Sequence, residues 1–312
     1  MTITTTNPVP IPLVSIPPGL AIARQLPDLM LPAKVRRGVL GFLRNNPTVA
    51  IGGVLLLCLI LIGIFAPYLG TVDPTAIAPA RRTRAPSADF WFGTDLLGRD
   101  IYSRVLYGSR VSLTVGLSVA ALASLAGLTI GLVSGFVRWA DSIIMRFIDG
   151  LMSIPPILLA VALMALTRGS VGNVILAITT AEIPRVARLV RGVVLSLREQ
   201  PYVDGAIASG TRTPMIILRH ILPNTLAPML VQATYVCASA MIVESILSFI
   251  GAGTPPTIPS WGNIMAEGRA LWQIKPYIVF FPAAFLSVTV LAVNLLGDGL
   301  RDALDPRMAK SL

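Results

Sequence analysis

Five apolar stretches that carry no charged side chain stand out along the chain: residues 45–72, 111–137, 150–167, 221–243 and 276–297. About 20 apolar residues suffice to cross the hydrocarbon core of a bilayer, so each stretch predicts a membrane-spanning helix. The first helix is expected at about 48–69, ended by Pro67 and Gly70. The run that starts at Ile221 is expected to stay helical past Glu244 to about Ile250. A further apolar segment, 171–197, holds Glu182, Pro184, Arg185, Arg188 and Arg191. It predicts a helix of about 172–190 whose arginines lie at a cytoplasmic end, where long basic side chains reach water. The pattern therefore predicts an all-α, polytopic membrane protein with six spans.

The segments between the spans differ in kind. Residues 1–45 contain seven prolines, from Pro8 to Pro32, and predict a flexible, polyproline-like cytoplasmic tail. Residues 46–312 then form the membrane domain. Residues 70–108 are polar and turn-rich and predict a long outer loop. Residues 198–222 alternate charged and apolar positions, too polar to span. Residues 251–263, GAGTPPTIPSWGN, lack charge but are full of helix breakers and open a second outer loop, 251–276. Within the second span, Ala123, Gly127, Gly131 and Gly135 repeat at four-residue spacing, which makes a groove where another helix can approach closely.

Charge sets the orientation. The chain has 312 residues, 54% hydrophobic and 13% charged, about half the charge density of a soluble domain. Its formal charge is +10. With six spans, sixteen of the 25 Lys and Arg residues fall on the side of the termini and nine on the other. That bias places both termini in the cytoplasm and explains the basic excess without nucleic acid.

Candidate chemistry is sparse. One histidine, His220, cannot build a multi-histidine metal site. No Walker A loop is present, so the chain has no P-loop for ATP of its own. Cys58 and Cys237 lie in apolar segments and are expected as small packing residues. Glu182 either lines a substrate path or pairs with Arg185 one turn away. Glu244 is a candidate path residue, with Met241, Ser245 and Ser248 on the same helical sector. Trp261 and Trp272 read either as an interfacial aromatic belt or as a lid over the outer face. Asp95, Arg99, Asp100 and Arg104 either clamp the outer loop or meet a partner.

The segment between the fourth and fifth spans carries the most information. It reads Tyr202-Val203-Asp204-Gly205-Ala206-Ile207-Ala208-Ser209-Gly210 and continues to Arg219-His220-Ile221-Leu222-Pro223. A short helix, a glycine turn and a second helix are expected against the membrane surface, with small residues leaving a low face for a docking protein. This segment resembles the EAA motif of ABC importer permeases. Ala206, Gly210, Leu222 and Pro223 match that motif, while Asp204, Gly205 and His220 replace its Glu, Ala and Ile.

More of the chain is similar to one branch of that family, the second (C-type) permease subunit of dipeptide, oligopeptide and nickel importers. The similarity is carried by Phe92-Gly93-Thr94-Asp95-Leu96-Leu97-Gly98-Arg99-Asp100, Met145-Arg146-Phe147-Ile148-Asp149, Pro259-Ser260-Trp261-Gly262 and Asn294-Leu295-Leu296-Gly297-Asp298. It spans about residues 46–307. The resemblance implies a MetI-like fold in a bacterial cytoplasmic membrane and a transport subunit with no active site.

It also implies partners: a homologous permease, cytoplasmic ATPases (two chains or one fused) that hold ATP and Mg, and an extracytoplasmic substrate-binding protein. The chain itself would bind no cofactor or metal. Asp204, Gly205, Ala206, Ala208, Ser209, Gly210, Leu222 and Pro223 would couple to the ATPase. Asp95, Arg99, Asp100 and Trp261 would serve outer-loop recognition. Peptide is the expected cargo, with nickel or another small solute as the alternative. A proton-coupled secondary transporter using Glu182 or Glu244 is the rival of another class.

Overall fold

A computed structural model describes residues 41, 43, 44 and 46–304. The expected flexible tail, 1–45, lies almost wholly outside the described residues, as do residues 305–312. From Leu43 onward the chain forms one compact unit. Its helices are α1 Pro47–Phe65, α2 Ile101–Phe136, α3 Arg138–Met152, α4 Pro156–Ala165 and α5 Val171–Arg198. They continue as α6 Pro201–Ala208, α7 Thr213–Ile216, α8 Leu222–Phe249, α9 Trp261–Gly268 and α10 Tyr277–Leu304.

Four helical segments are long and apolar enough to cross a membrane: Pro47–Tyr68, Ile101–Phe136, Thr213–Phe249 and Tyr277–Leu304. The bent pair α3–α4 is a fifth candidate. Helix α5 is 28 residues long, roughly 42 Å at 1.5 Å per residue, and is excluded by its charges rather than its length. The described residues thus hold four candidate spans, five with the bent pair, and α5 lies where the fourth of the six expected spans was placed.

Three boundaries differ from the sequence expectation. Helix α2 begins at Ile101, inside the expected loop 70–108, and runs for 36 residues. Asp100 caps it, its carboxylate accepting from the Ser103 amide at 2.8 Å. The early start takes Arg104 and Arg110 into the helix, and both find partners within the chain. The Arg110 guanidinium donates to the carbonyls of Gly63 and Ile64 at the end of α1.

The stretch 150–167 is not one span. It breaks at Ser153–Pro155, and α3 meets α4 at 86°. Pro155 and Pro156 lack amide hydrogens, and a proline disfavours helical backbone at the residue before it. Helix α5 runs to Arg198, eight residues past the expected end. Asp141 of α3 takes both guanidinium arms of Arg191 at 2.5 and 2.6 Å, and Asp149 takes Arg188 at 2.5 Å. Those ion pairs carry the basic end of α5 along α3.

The main internal seam joins α2 to α5. Gly127, Gly131 and Gly135 face Val186, Val190 and Val194 in turn, which repeat at the same four-residue interval, and Ala123 is buried one turn before them. A Cβ at Gly131 would sit 2.6 Å from Val190 Cβ and 2.8 Å from the Ala187 carbonyl. The groove expected from small residues is thus filled by β-branched ridges, which let the backbones approach. Cys237 is buried as expected, but Cys58 is exposed on α1, because that helix turns only Val49, Gly52, Leu59 and Gly63 inward.

Near residue 217 the helical path widens into a π-turn, Ile217–Ile221, with the Leu222 amide donating to the Ile217 carbonyl. Pro223 explains it: the ring has no hydrogen to give and crowds the carbonyl four residues back.

The seam yields a prediction. Gly131→Leu should overpack α2 against α5 at a cost of about 1–3 kcal/mol. A lower melting temperature of the detergent-purified chain would register it. Gly53→Leu, where a Cβ meets nothing within 4 Å, should melt as the wild type does.

Candidate functional site

Helix α6 and the turn after it project from the ends of α5 and α8. Val203 is fully buried and anchors α6 in the main core, where Ala206 also packs. Ile216 and Ile221 anchor the returning strand of the element in the same core. Asp204, Gly205, Ala208, Ser209 and Gly210 are exposed. So are three apolar side chains: Ile207 (54%), Met215 (52%) and Leu218 (61%). The apolar residues of 215–222 are therefore divided, Ile216 and Ile221 holding the core while Met215 and Leu218 face outward. Asp204 and Ile207 border a cavity of about 390 Å³ with Phe136, Arg138, Arg198 and Glu199. Leu222 is half-buried and Pro223 exposed at the start of α8.

Gly210 ends α6 by a specific motif. Its φ is +77°, a left-handed conformation. The Thr211 amide donates to the Ala206 carbonyl at 3.1 Å, and the Gly210 amide to the Ile207 carbonyl at 2.9 Å. These are the paired bonds of a Schellman cap, which turns the chain sharply and satisfies the last helical carbonyls.

The sector expected to line a path is closed. Met241, Glu244, Ser245 and Ser248 are all buried: α9 packs on Ser245 and Ser248 at Gly262, and Met241 packs against Gly116 of α2. Glu244 accepts from the Ser248 hydroxyl at 2.8 Å, with Thr254 Oγ1 3.5 Å away. Asn263 donates to the Thr254 hydroxyl and to the carbonyls of Thr254, Pro255 and Ile258, pinning the breaker-rich loop. Ser248 borders a cavity of about 200 Å³, shared with Thr254, Asn263 and Glu267. Thr254, Ser260 and Asn263 were missed as members of this cluster. Their sequence signal is the Ser-x-x-Asn cap of α9, in which the Ser260 hydroxyl accepts from the Asn263 amide at 3.2 Å.

The outer-loop residues are also turned inward. Asp95 is fully buried and accepts from the amides of Leu97 and Arg99, from Arg99 Nε at 2.7 Å and from Arg104. Arg99 and Arg104 both continue to Glu267 on α9. Glu267 was not foreseen, since it lies 168 residues from Arg99 in sequence. Trp261 is fully buried, its indole donating to the Val105 carbonyl at 3.1 Å. A docking protein would therefore meet none of Asp95, Arg99 or Trp261 directly, and Asp100 is occupied as the α2 cap. At the exposed edge of the loop, the hydroxyl and amide of Thr75 donate to Asp73 and hold its carboxyl below the ordinary range. Glu182 follows its structural reading. Arg185 lies 3.3 Å away, and the Ser239 hydroxyl of α8 donates to it at 2.9 Å.

The family model for the binding-protein-dependent transport system inner membrane component matches residues 127–310, more than half of the chain. The chain belongs to this family. It is 52% identical over 265 residues to a probable peptide ABC transporter permease of Sinorhizobium fredii, covering 85% of this chain and 90% of that one. It is 42% identical to the dipeptide permease DppC of Alkalihalophilus pseudofirmus (85% and 88% covered) and 37% identical to the oligopeptide permease OppC of Bacillus subtilis (86% and 88%). Its fold is similar to an inward-facing structure of the MetNI methionine ABC transporter, with TM-score 0.55 and 19% identity, over 65% of this chain and 97% of that one. This inner membrane component is thus a multi-pass permease with the MetI-like helical fold expected from its motifs. The family match takes in α6, its glycine turn and the Glu244 cluster; the loop that holds Asp95 precedes it.

Two outcomes follow for the permease. Gly210→Ala should cost about 1–2 kcal/mol by forcing a side chain into left-handed backbone. Faster amide exchange confined to residues 206–212 would report it. Glu267→Ala strands two buried guanidinium groups against one carboxylate and should cost about 3–5 kcal/mol. Glu267→Gln, which keeps an acceptor, should lose less, and thermal unfolding ranks the two.

Proposed function

We propose that this chain is the transmembrane permease subunit of an ATP-driven importer of peptides. Three named peptide permeases, each at least 37% identical over some 85% of the chain, support the cargo class. The observation that carries the mechanism is the element α6–turn–α7: a short helix ended by a Schellman cap, exposed on its small and apolar residues, and anchored beneath by Val203, Ile216 and Ile221.

Such an element is built to transmit force. Asp204, Gly205, Ala206, Ala208, Ser209 and Gly210 form the low face on which a cytoplasmic ATPase seats, with Leu222 and Pro223 at the start of the following span. ATP and Mg act on those ATPases, which are two chains or one fused chain. When they close, the push enters α6. It passes through the buried Val203 to the ends of α5 and α8, which are continuous with the element on either side. The α2–α5 seam is close-packed, so α2 moves with α5 rather than deforming. The half-path of this chain then opens and closes against a homologous permease, and an extracytoplasmic binding protein delivers the peptide. Both termini face the cytoplasm, the side with sixteen of the 25 basic residues.

The test reconstitutes the chain with its partner permease, ATPase and binding protein in proteoliposomes. Peptide uptake should require internal ATP, and Gly210→Trp should abolish it while leaving the chain in the membrane. A cysteine at Ser209 should cross-link to the ATPase. Uptake that persists without ATP, or is unimpaired in Gly210→Trp, would overturn the proposal in favour of ion-coupled transport.

A further inference from the structure

The ends of α8 and α10 nearest the 251–276 segment enclose a groove of about 500 Å³. It is lined by Phe249, Arg269, Trp272, Pro276, Val279 and Phe280. Phe249 is the last residue of one long apolar helix and Tyr277 the first of the next. Phe249, Val279 and Phe280 belong to those apolar helices, and Arg269 and Trp272 to the segment between them. Trp272 and Phe280 are 60% and 64% exposed.

The charge here is unlike the charge around it. Arg99 and Arg104, near the same end of the bundle, share Asp95 and Glu267. The side chains of Arg269 and Lys275 have no ion pair or hydrogen bond among the described residues. An unpaired cation beside an apolar groove suits a ligand with an anionic head and a hydrocarbon tail. A docking protein suits it less well, because Val279 and Phe280 belong to an apolar helix of the kind that faces lipid. We propose that this groove is a binding site for an anionic phospholipid. Its phosphate would lie on Arg269, its acyl chain along Phe249, Val279 and Phe280, and Trp272 would close the groove at headgroup level.

Native mass spectrometry of the assembled transporter, titrated with phosphatidylglycerol and with phosphatidylcholine, tests the site. Phosphatidylglycerol should be retained more strongly. Arg269→Gln should weaken that retention about five-fold, the equivalent of about 1 kcal/mol per cation at a membrane surface, and Arg269→Lys should keep most of it. In the wild-type complex, a phosphatidylglycerol carrying a photoreactive acyl chain should label the peptide that contains Phe280. Equal retention of the two lipids, an unchanged Arg269→Gln, or labelling only elsewhere would overturn the proposal. So would an Arg269→Gln that lowers stimulation by the binding protein while lipid retention is unchanged, which would make the groove a protein-docking surface.

Discussion

A bilayer core offers no water to a buried charge or a bare backbone group, and the long helices of this permease answer that constraint inside the chain. Within the bundle Ser239 bonds the buried Glu182; nearer the helix ends Arg110 bonds the carbonyls that end α1, and Asp141 and Asp149 take Arg191 and the exposed Arg188. These polar contacts join helices that apolar packing alone would leave free to slide, since lipid is as apolar as the helix faces. The α2–α5 seam adds shape to charge: small residues on one helix receive valines on the other.

The two ends of the molecule are built differently. At the end read as cytoplasmic, α6 is exposed on small and apolar residues and held by a few buried anchors. At the opposite end the polar residues are sealed. The Asp95–Arg99–Arg104–Glu267 network ties the first outer loop to α9, and the Glu244–Thr254–Asn263 cluster ties α9's leading loop to α8. Loop and short helix therefore sit rigidly on the long helices beneath, and a displacement of α8 would carry them with it. Buried pairs of this kind add little net stability, but they are costly to break one partner at a time, which favours a single arrangement.

The sequence was most legible where a residue's meaning is local. Apolar runs placed the spans, four-residue spacing placed the seam, and a glycine after a short apolar segment placed the turn at Gly210. It was least legible where a charged or polar residue could be met from far along the chain. Asp95, Arg99 and Trp261 read as exposed candidates because a loop is normally solvated, yet Glu267 of α9 meets Arg99, and Val105 of α2 meets Trp261, from more than 150 residues away. Met241, Glu244, Ser245 and Ser248 share a helical sector, as their spacing requires. Spacing cannot say whether that sector faces a cavity or another helix.

What the sequence determined by itself was the membrane class, the all-helical fold and the places of most of the long apolar helices. Each follows from solvation or backbone geometry within a window of some 20 residues. Only the tertiary structure decided that α2 begins inside the expected loop, that the third rod bends by 86°, and that the outer polar residues are paired rather than presented. A charge is tolerated in a helix or an interior only if a partner arrives, and the partners here, Glu267 above all, arrive through the fold.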